Sequence, residues 1–168
     1  MVNKTRYRPT REAVVTETMQ IGIVVRDLDA TIKKYVDDFG IGPWQRHELT
    51  HENATDLRIY GQPAALWRVA VATAMVGQVM WELIEPLDDE SIFAHFLAEK
   101  GGGVHHIAVA TPRFDDAVAA QAKQGNTLVL SGTFSGAKIA YLPTDRDLGV
   151  ILEIFSGMPG AEQEPDAT

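Results

Sequence analysis

The chain has 168 residues, 45% hydrophobic and 23% charged, which suffices for one domain with a substantial core or for two small fused modules. A formal net charge of −8 disfavours a nucleic-acid surface, which needs clustered Lys and Arg. The absence of cysteine excludes disulfides and thiolate metal sites. The basic N-terminus has no continuous apolar stretch, and no apolar run approaches the roughly 20 residues of a membrane span. We therefore expect a cytoplasmic protein with no membrane or nucleic-acid partner.

The first half of the chain predicts a strand, a helix and further strands, after an N-terminal arm at residues 1–17. The segment MQIGIVV alternates β-branched residues, as a strand does. After Asp27 the pattern changes to an amphipathic helix that should end at Gly40. The apolar residues of this helix are Leu28, Ile32, Tyr35 and Phe39. The next strand candidates are residues 45–50, residues 65–73 and the segment VMWELIEP.

The second half repeats this order. Residues 89–102 predict a linking helix that is capped by Asp88, Asp89 or Ser91. The segment HHIAVATPRFDDAVAA then matches MQIGIVVRDLDATIKK, placing His106 on Gln20, and VILEIFSG matches VMWELIEP, placing Glu153 on Glu82. Strand candidates at 126–132 and 137–142 complete the copy, and 157–168 is predicted to be a flexible tail. An internal duplication of this kind predicts an α+β fold of two tandem βαβββ modules.

We call residues 18–88 the first module and residues 103–156 the second module. The first half has the longer middle, and we expect a surface loop to absorb the difference.

Strand parity predicts which side chains face a cavity. In GGGVHHIAVA, His105 should point toward the helix side with Ile107, while His106 should point to the other face with Ala108. Gln20 should share the equivalent face of the first strand with Gly22. Small residues beside a single polar group leave room, as a ligand cavity requires. The predicted cavity residues are Gly22, Trp67, Met80 and Ala108.

Two glutamates, Glu82 and Glu153, lie within otherwise apolar strands, where an unpaired carboxylate is costly. Together with Gln20 and His106 they form a candidate nitrogen and oxygen ligand set for one divalent ion. The candidate ions for such a ligand set are Zn²⁺, Co²⁺, Ni²⁺, Mn²⁺ and Mg²⁺. Alternatively, His106 is a core histidine with satisfied hydrogen bonds, and Gln20 bonds a backbone group. A carboxylate beside such an ion, Glu153 or Glu82, is the candidate catalytic base for removing a proton next to a carbonyl.

Over residues 18–156 these motifs resemble the vicinal-oxygen-chelate superfamily, which includes glyoxalases, bleomycin resistance proteins and dioxygenases. The resemblance implies two βαβββ modules forming a curved mixed sheet around a central cavity that holds a metal. The stretch ELIEPLDDESIFAHFLAEKGGGVHHIAVAT and the closing GVILEIF are similar to methylmalonyl-CoA epimerases. Carried over by position, the metal ligands are Gln20, Glu82, His106 and Glu153.

The resemblance has two departures. Epimerases usually have His at the first ligand position and Gln at the second, so the set here is similar to that of a zinc-type glyoxalase I. In addition, LWRVAVATA contains no carboxylate where the epimerases have a second acid/base glutamate.

The resemblance implies a metal-dependent isomerase, epimerase or lyase that works through an enediolate, with an acyl-CoA thioester as substrate. The alternatives are a lactoylglutathione lyase-like glyoxalase, a ring-cleaving dioxygenase and a metal-free binding protein of the same fold. A homodimer is expected, because an open curved sheet leaves edges to cover.

Overall fold

A computed structural model describes residues 15–156 of the chain. The predicted tail at 157–168 and most of the predicted N-terminal arm lie outside the described residues. The first half contains seven strands and helices: β1 (Glu17–Val24), α1 (Leu28–Phe39), β2 (Gln45–Thr50), β3 (Ala54–Ile59), β4 (Gln62–Pro63), β5 (Arg68–Val76) and β6 (Val79–Pro86).

The second half begins after the linking helix, α2 (Ile92–Lys100). Its elements are β7 (Gly103–Ala110), α3 (Phe114–Lys123), β8 (Leu130–Phe134), β9 (Ala137–Leu142), α4 (Asp145–Leu148) and β10 (Ile151–Ser156). None of the helices within the described range is long and apolar enough to cross a membrane.

All ten strands belong to one curled mixed sheet, in the order β2-β5-β6-β1-β7-β10-β9-β8-β3-β4. At its centre, β1 runs parallel to β6 and antiparallel to β7, and β7 runs parallel to β10. The two modules therefore meet along β1 and β7, their first strands. The predicted fold class, an α+β fold with two βαβββ modules in a curved mixed sheet, is confirmed.

The helix boundaries follow from local capping. The Asp27 side chain accepts a hydrogen bond from the Ala30 N–H at 2.8 Å, and Gly40 ends α1 in the left-handed conformation at φ 64°. The Ser91 hydroxyl caps α2 by accepting from the Ala94 N–H at 3.1 Å. Helix α3 has no side-chain cap, because Arg113 stands at its N-cap position. Phe39 belongs to the apolar face that the sequence predicts for α1, but its side chain is 69% exposed and does not join the core.

The longer middle of the first half is not a loop. Its strands β3 and β4 form a hairpin, and β3 pairs antiparallel with β8 of the second module. The expectation of a surface loop is therefore wrong, because the edge of the second module satisfies the backbone hydrogen bonds of this segment. Leu57 of β3 is buried at 7% exposure and packs in the core with Leu130 of β8.

The sheet has apolar clusters on both faces. On the convex face, one cluster packs Leu28 of α1 onto the first module, and another packs Phe114 of α3 onto the second. The third and largest cluster lies inside the curl of the sheet, where Phe93 of α2 joins residues from both modules. This inner cluster contains the cavity, so the curl of the sheet positions the site.

Candidate functional site

Four adjacent strands at the centre of the sheet bring four polar side chains to one buried point. The strands β1, β6, β7 and β10 contribute Gln20, Glu82, His106 and Glu153 in that order. The Gln20 Nε2 donates to Glu82 Oε2 at 2.6 Å. The His106 Nε2 lies 3.5 Å from Glu82 Oε2 and 3.1 Å from Glu153 Oε2. The structure therefore brings together the four residues that the repeat pairs. We call them the central quartet.

Gly22 makes room for the imidazole in this quartet. It lies opposite His106 in the β1–β7 ladder and opposite Glu82 in the β1–β6 ladder. A Cβ atom at position 22 would lie 1.9 Å from His106 Cε1, well inside van der Waals contact. The ring therefore lies directly against the Gly22 backbone, which explains why a strand interior carries a glycine here.

A β-bulge places both histidines on the same side of β7. Gly22 pairs with His106, but the next residue of β1, Ile23, pairs with Val104, so His105 has no opposite residue. Both imidazole rings contact Phe93, at centroid distances of 4.9 Å for His105 and 6.4 Å for His106. The prediction that the two side chains point to opposite faces is wrong, because strand parity does not hold across a bulge.

The bulge creates a direct contact between the two imidazoles. The Nδ1 atoms of His105 and His106 are 3.1 Å apart, so one donates and the other accepts. Burial, followed by the adjacent His106, lowers the pKa of His105 to about 3. A neutral His105 that accepts at Nδ1 fixes the proton of His106 on its own Nδ1. When His106 is neutral, its Nε2 lone pair then faces the two carboxylates, and this orientation suits a metal ligand.

The charges in the quartet are strongly coupled. For His106, burial lowers the pKa, but the neighbouring Glu153 and Glu82 carboxylates outweigh burial and raise it to about 9. Burial raises the pKa of Glu153, although the adjacent His106 opposes the shift. Burial and the same two carboxylates also raise the pKa of the Tyr141 phenol well above its usual value. A cation at this point would stabilise both carboxylates in their charged form.

Two atoms of the quartet lack hydrogen bonds. The His106 Nε2 and Glu153 Oε2 lie within ion-pair distance, yet neither makes a hydrogen bond in the described part of the chain. Leaving such a buried group unpaired costs about 1–3 kcal/mol. Together with Glu82 Oε2, these atoms form a set of nitrogen and oxygen donors with no thiolate, a chemistry that suits a divalent ion.

The quartet fits a metal by its chemistry rather than by its present arrangement. Within residues 15–156, no group of three or more His, Asp and Glu side chains is arranged so that it could hold an ion. Glu82 instead bonds the Gln20 NH₂ group. Coordination by Gln20 requires its amide to turn so that Oε1 faces the ion, a half-turn that exchanges two atoms of similar size.

A cavity of about 130 Å³ adjoins the quartet. Its polar lining comes from Gln20, Glu82, Glu153, Trp67 and Tyr141. Most of the remaining wall is aliphatic or aromatic and includes Leu49, Val69, Val71, Ile84, Phe134 and Ile139. No Lys or Arg is among the described residues that line this cavity. The wall is therefore apolar, with its acidic groups at one place.

The structure places only Trp67 of the expected cavity residues in the cavity wall. The His106 ring covers Gly22. Ala108 is fully buried and lies opposite both Gln20 and Glu153 in the ladders. Met80 lies opposite Gln20 in the β1–β6 ladder. The quartet side chains fill the space that the small residues leave, so the cavity opens beyond the quartet.

Sequence reasoning missed Tyr141 and the valines of β5. Tyr141 lies opposite Glu153 in the β9–β10 ladder and is 5% exposed. A tyrosine at the centre of the buried run IAYL is the signal that could have indicated it, because a buried phenol needs a polar neighbour. Val69 and Val71 lie on the cavity side of β5, the strand that lacks the expected carboxylate.

Comparison with known proteins identifies the family. The model of the Glyoxalase/Bleomycin resistance protein/Dioxygenase superfamily matches residues 19–141, and the chain belongs to this superfamily. One curated relative, the uncharacterized protein YqjC of Bacillus subtilis, is 36% identical over 90 residues. That alignment covers 52% of this chain and 64% of the relative, so the match spans less than two thirds of the curated protein.

Solved structures with this fold include methylmalonyl-CoA epimerases. The Mycobacterium tuberculosis enzyme is 23% identical, with a TM-score of 0.65 over 90% of this chain and 94% of that chain. A variant of the Streptomyces coelicolor enzyme, in complex with 2-nitronate-propionyl-CoA, is 26% identical, with a TM-score of 0.64 over 90% of this chain and 99% of that chain. The fold likeness therefore extends over nearly the whole of both structures.

Proposed function

We propose that this chain is a divalent-metal-dependent isomerase, epimerase or lyase that removes a proton next to a carbonyl group, with an acyl-CoA thioester as substrate. The observation that carries the proposal is the convergence of the central quartet at a buried point beside an apolar cavity. Membership of the superfamily and the likeness to methylmalonyl-CoA epimerases support this class of reaction.

Glu153 is the base of the proposed reaction. Its carboxylate lines the cavity, and its Oε2 accepts no hydrogen bond from the described residues. In the metal-free site burial raises its pKa, although the adjacent His106 opposes the shift. The substrate proton passes to Glu153 and returns to the same or an adjacent carbon, so protons balance over the cycle.

Gln20 and Glu82 orient the centre. The hydrogen bond from Gln20 holds the Glu82 carboxylate toward His106, and Glu82 is the second group that is able to return the proton. Gln20, Glu82, His106 and Glu153 would hold the divalent ion. When bound, the ion supplies Lewis-acid stabilisation of the negative charge that develops on the substrate oxygen.

The acyl-CoA substrate is proposed from the apolar cavity and from the relatives. Aliphatic and aromatic side chains surround the space beside Glu153, as an acyl substituent requires. The S. coelicolor epimerase of similar fold is seen with a propionyl-CoA derivative.

A second candidate, a lactoylglutathione lyase-like reaction on a hemithioacetal, is favoured by the composition of β5. Its residues facing the cavity, Val69 and Val71, carry no acid or base, so both carboxylates act from one wall. Carboxylates on one wall of the cavity suit the movement of a proton between adjacent carbons of the substrate. Epimerisation by two bases instead needs a second acid or base on the opposite side of the substrate.

The test combines metal content with proton exchange. Protein purified without an affinity tag is incubated with Zn²⁺, Co²⁺, Ni²⁺ or Mn²⁺ and analysed by mass spectrometry, beside His106→Ala and Glu153→Ala. Metal-loaded protein is then mixed in D₂O with methylmalonyl-CoA, propionyl-CoA or the hemithioacetal of methylglyoxal and glutathione, and deuterium uptake is followed by NMR. Glu85→Gln is the matched control, because Glu85 lies on β6, the strand of Glu82, but caps α1 by accepting from the Leu28 N–H at 2.9 Å.

We expect about one ion per chain in the wild type and in Glu85→Gln, and its loss in both quartet variants. Deuterium in an acyl-CoA establishes the first candidate, and deuterated lactoylglutathione establishes the second. Wild-type protein that binds none of the four metals, or that binds metal and exchanges no proton in any of the three compounds, would refute the proposal.

A further inference from the structure

The Trp67 indole is a buried hydrogen-bond donor without a partner. Trp67 is 4% exposed, and its Nε1 has no hydrogen bond among the described residues. Its ring packs against Phe134 at a centroid distance of 5.6 Å and against Phe93 at 6.3 Å, and neither ring offers a conventional acceptor. Because Trp67 also lines the cavity, a molecule in the cavity is the partner available to this N–H.

Trp67 lies on a different part of the cavity wall from the central quartet. The Phe93 ring is a neighbour of both, 6.3 Å from the Trp67 ring and 6.4 Å from the His106 ring. The backbone of Trp67 is also held in place, since its carbonyl accepts from the His51 N–H at 3.0 Å. The cavity therefore has a second, fixed polar point besides the acidic one.

The charges around the cavity determine what this second point is able to bind. Its charged lining groups are the carboxylates of Glu82 and Glu153, and none of its described lining residues is Lys or Arg. A carboxylate or phosphate placed against Trp67 would be buried between Phe93 and Phe134 with no cation beside it, at a high cost in desolvation. An uncharged oxygen needs only one donor, which Trp67 provides.

We infer that the Trp67 indole N–H is a substrate-recognition donor, and that it takes an uncharged carbonyl or hydroxyl oxygen on the apolar part of the substrate. The inference rests on the proposed function for the identity of the cavity as a substrate site. It narrows the substrate to compounds that carry a neutral oxygen on their apolar part, away from the reacting carbon. A substrate whose second polar group is a carboxylate is disfavoured.

The test uses two small probes of nearly the same shape, isobutyramide and isobutyrate, on protein labelled with ¹⁵N at the tryptophan indoles. The Trp67→Phe variant keeps an aromatic ring, removes the N–H and assigns the Trp67 signal by its disappearance. Trp44→Phe is the matched control, since the Trp44 Nε1 already donates to the Ile41 carbonyl at 2.9 Å. Neither probe requires turnover, so the result does not depend on the proton-exchange assay.

We expect isobutyramide to move the Trp67 indole proton downfield in a saturable way and isobutyrate to leave it in place. Binding of isobutyramide should weaken by about three- to tenfold in Trp67→Phe, the size of one neutral hydrogen bond, and stay unchanged in Trp44→Phe. A Trp67 signal that neither probe moves, or that isobutyrate moves as far as isobutyramide does, would overturn the inference. Either result leaves the proposed proton chemistry to be decided by deuterium exchange.

Discussion

Glu82 in the first module and Glu153 in the second lie on equivalent strands, β6 and β10, but their surroundings differ. The Glu82 side chain is 14% exposed, and its Oε2 accepts from Gln20 at 2.6 Å. The Glu153 side chain is 3% exposed, its Oε2 has no hydrogen bond within residues 15–156, and burial raises its pKa. A duplicated sequence thus supplies two like groups, and packing gives them different properties. We therefore propose that the base lies in the second module and that the first module orients the centre.

The strands that precede β6 and β10, namely β5 in the first module and β9 in the second, also differ in polarity toward the cavity. Strand β5 presents Val69 and Val71 to the cavity, whereas β9 presents Ile139 and Tyr141. The polar groups of the second module thus surround Glu153, and those of the first module contact Glu82. This asymmetry leads to four predictions, ordered by the size of the expected effect.

Replacement of Glu153 by Gln should have the largest effect. Proton exchange into the accepted substrate should fall by about 10²- to 10⁴-fold, because the general base is lost. Glu82→Gln should retain more exchange, since the amide keeps an oxygen that can accept a hydrogen bond from Gln20. Both rates are measured by NMR in D₂O at saturating metal. Equal losses in the two variants would contradict the assignment of the base to the second module.

The Gly22→Ala variant should displace the imidazole that the two modules share. The new Cβ would lie 1.9 Å from His106 Cε1, so the ring must move and metal binding should be lost. Overpacking of this kind lowers the free energy of unfolding by about 1–3 kcal/mol, measured by urea denaturation. Gly132→Ala in β8 is the control, because its Cβ would meet the Leu57 Cδ1 methyl at 3.1 Å, a contact that needs only a small shift of that side chain. Metal retained in Gly22→Ala would show that His106 is not a ligand.

His105→Phe should test the contact that the bulge creates. The variant removes the acceptor for His106 Nδ1 but keeps an aromatic ring beside Phe93 and Phe96, which lie 4.9 and 5.0 Å from the imidazole. Metal affinity should fall by about tenfold or more, as measured by competition with a chromogenic chelator. His95→Phe, on the exposed face of α2, should bind metal as the wild type does. If the two variants bind alike, His105 has only a packing role.

The smallest expected effects concern the first helix of each module. Asp27 caps α1, so Asp27→Ala should lower the free energy of unfolding by about 1 kcal/mol. Arg113 provides no side-chain cap for α3, so Arg113→Ser should raise it by about 0.5 kcal/mol. The exposed ion pair of Arg113 with Asp116 that is lost contributes little. Urea denaturation measures both changes, and a destabilised Arg113→Ser would show that the ion pair outweighs a cap.

The repeat predicted the meeting of the quartet because side-chain parity within a strand is a local property. Gln20 and His106 lie on matching first strands, and Glu82 and Glu153 on matching last strands, so pairing of the modules brings the four together. The ends of α1 at Gly40 and of α2 at Gly101 are also local properties, because a left-handed C-cap depends on one residue. The sequence alone can therefore predict them.

The failures of prediction all depend on contacts between distant parts of the chain. The bulge at His105 depends on how β7 pairs with β1, and local sequence does not determine that register. The β3–β4 hairpin forms because β8 of the other module accepts it as a neighbour. The unpaired Trp67 N–H follows from the packing of Phe93 and Phe134 around it. None of these arrangements has a signature within a short segment.

The sheet order has a consequence for how the protein folds. Both outer strands, β2 at one end and β4 at the other, come from the first module. Because β2 ends at Thr50 and β3 begins at Ala54, the curl of the sheet brings its two ends close together. The second module cannot complete its own edge until β3 arrives from the first. Long-range pairings lose chain entropy before their contacts stabilise the structure, so we expect folding to be slow and to occur in a single cooperative step. We therefore expect the two halves, although similar in design, to unfold together.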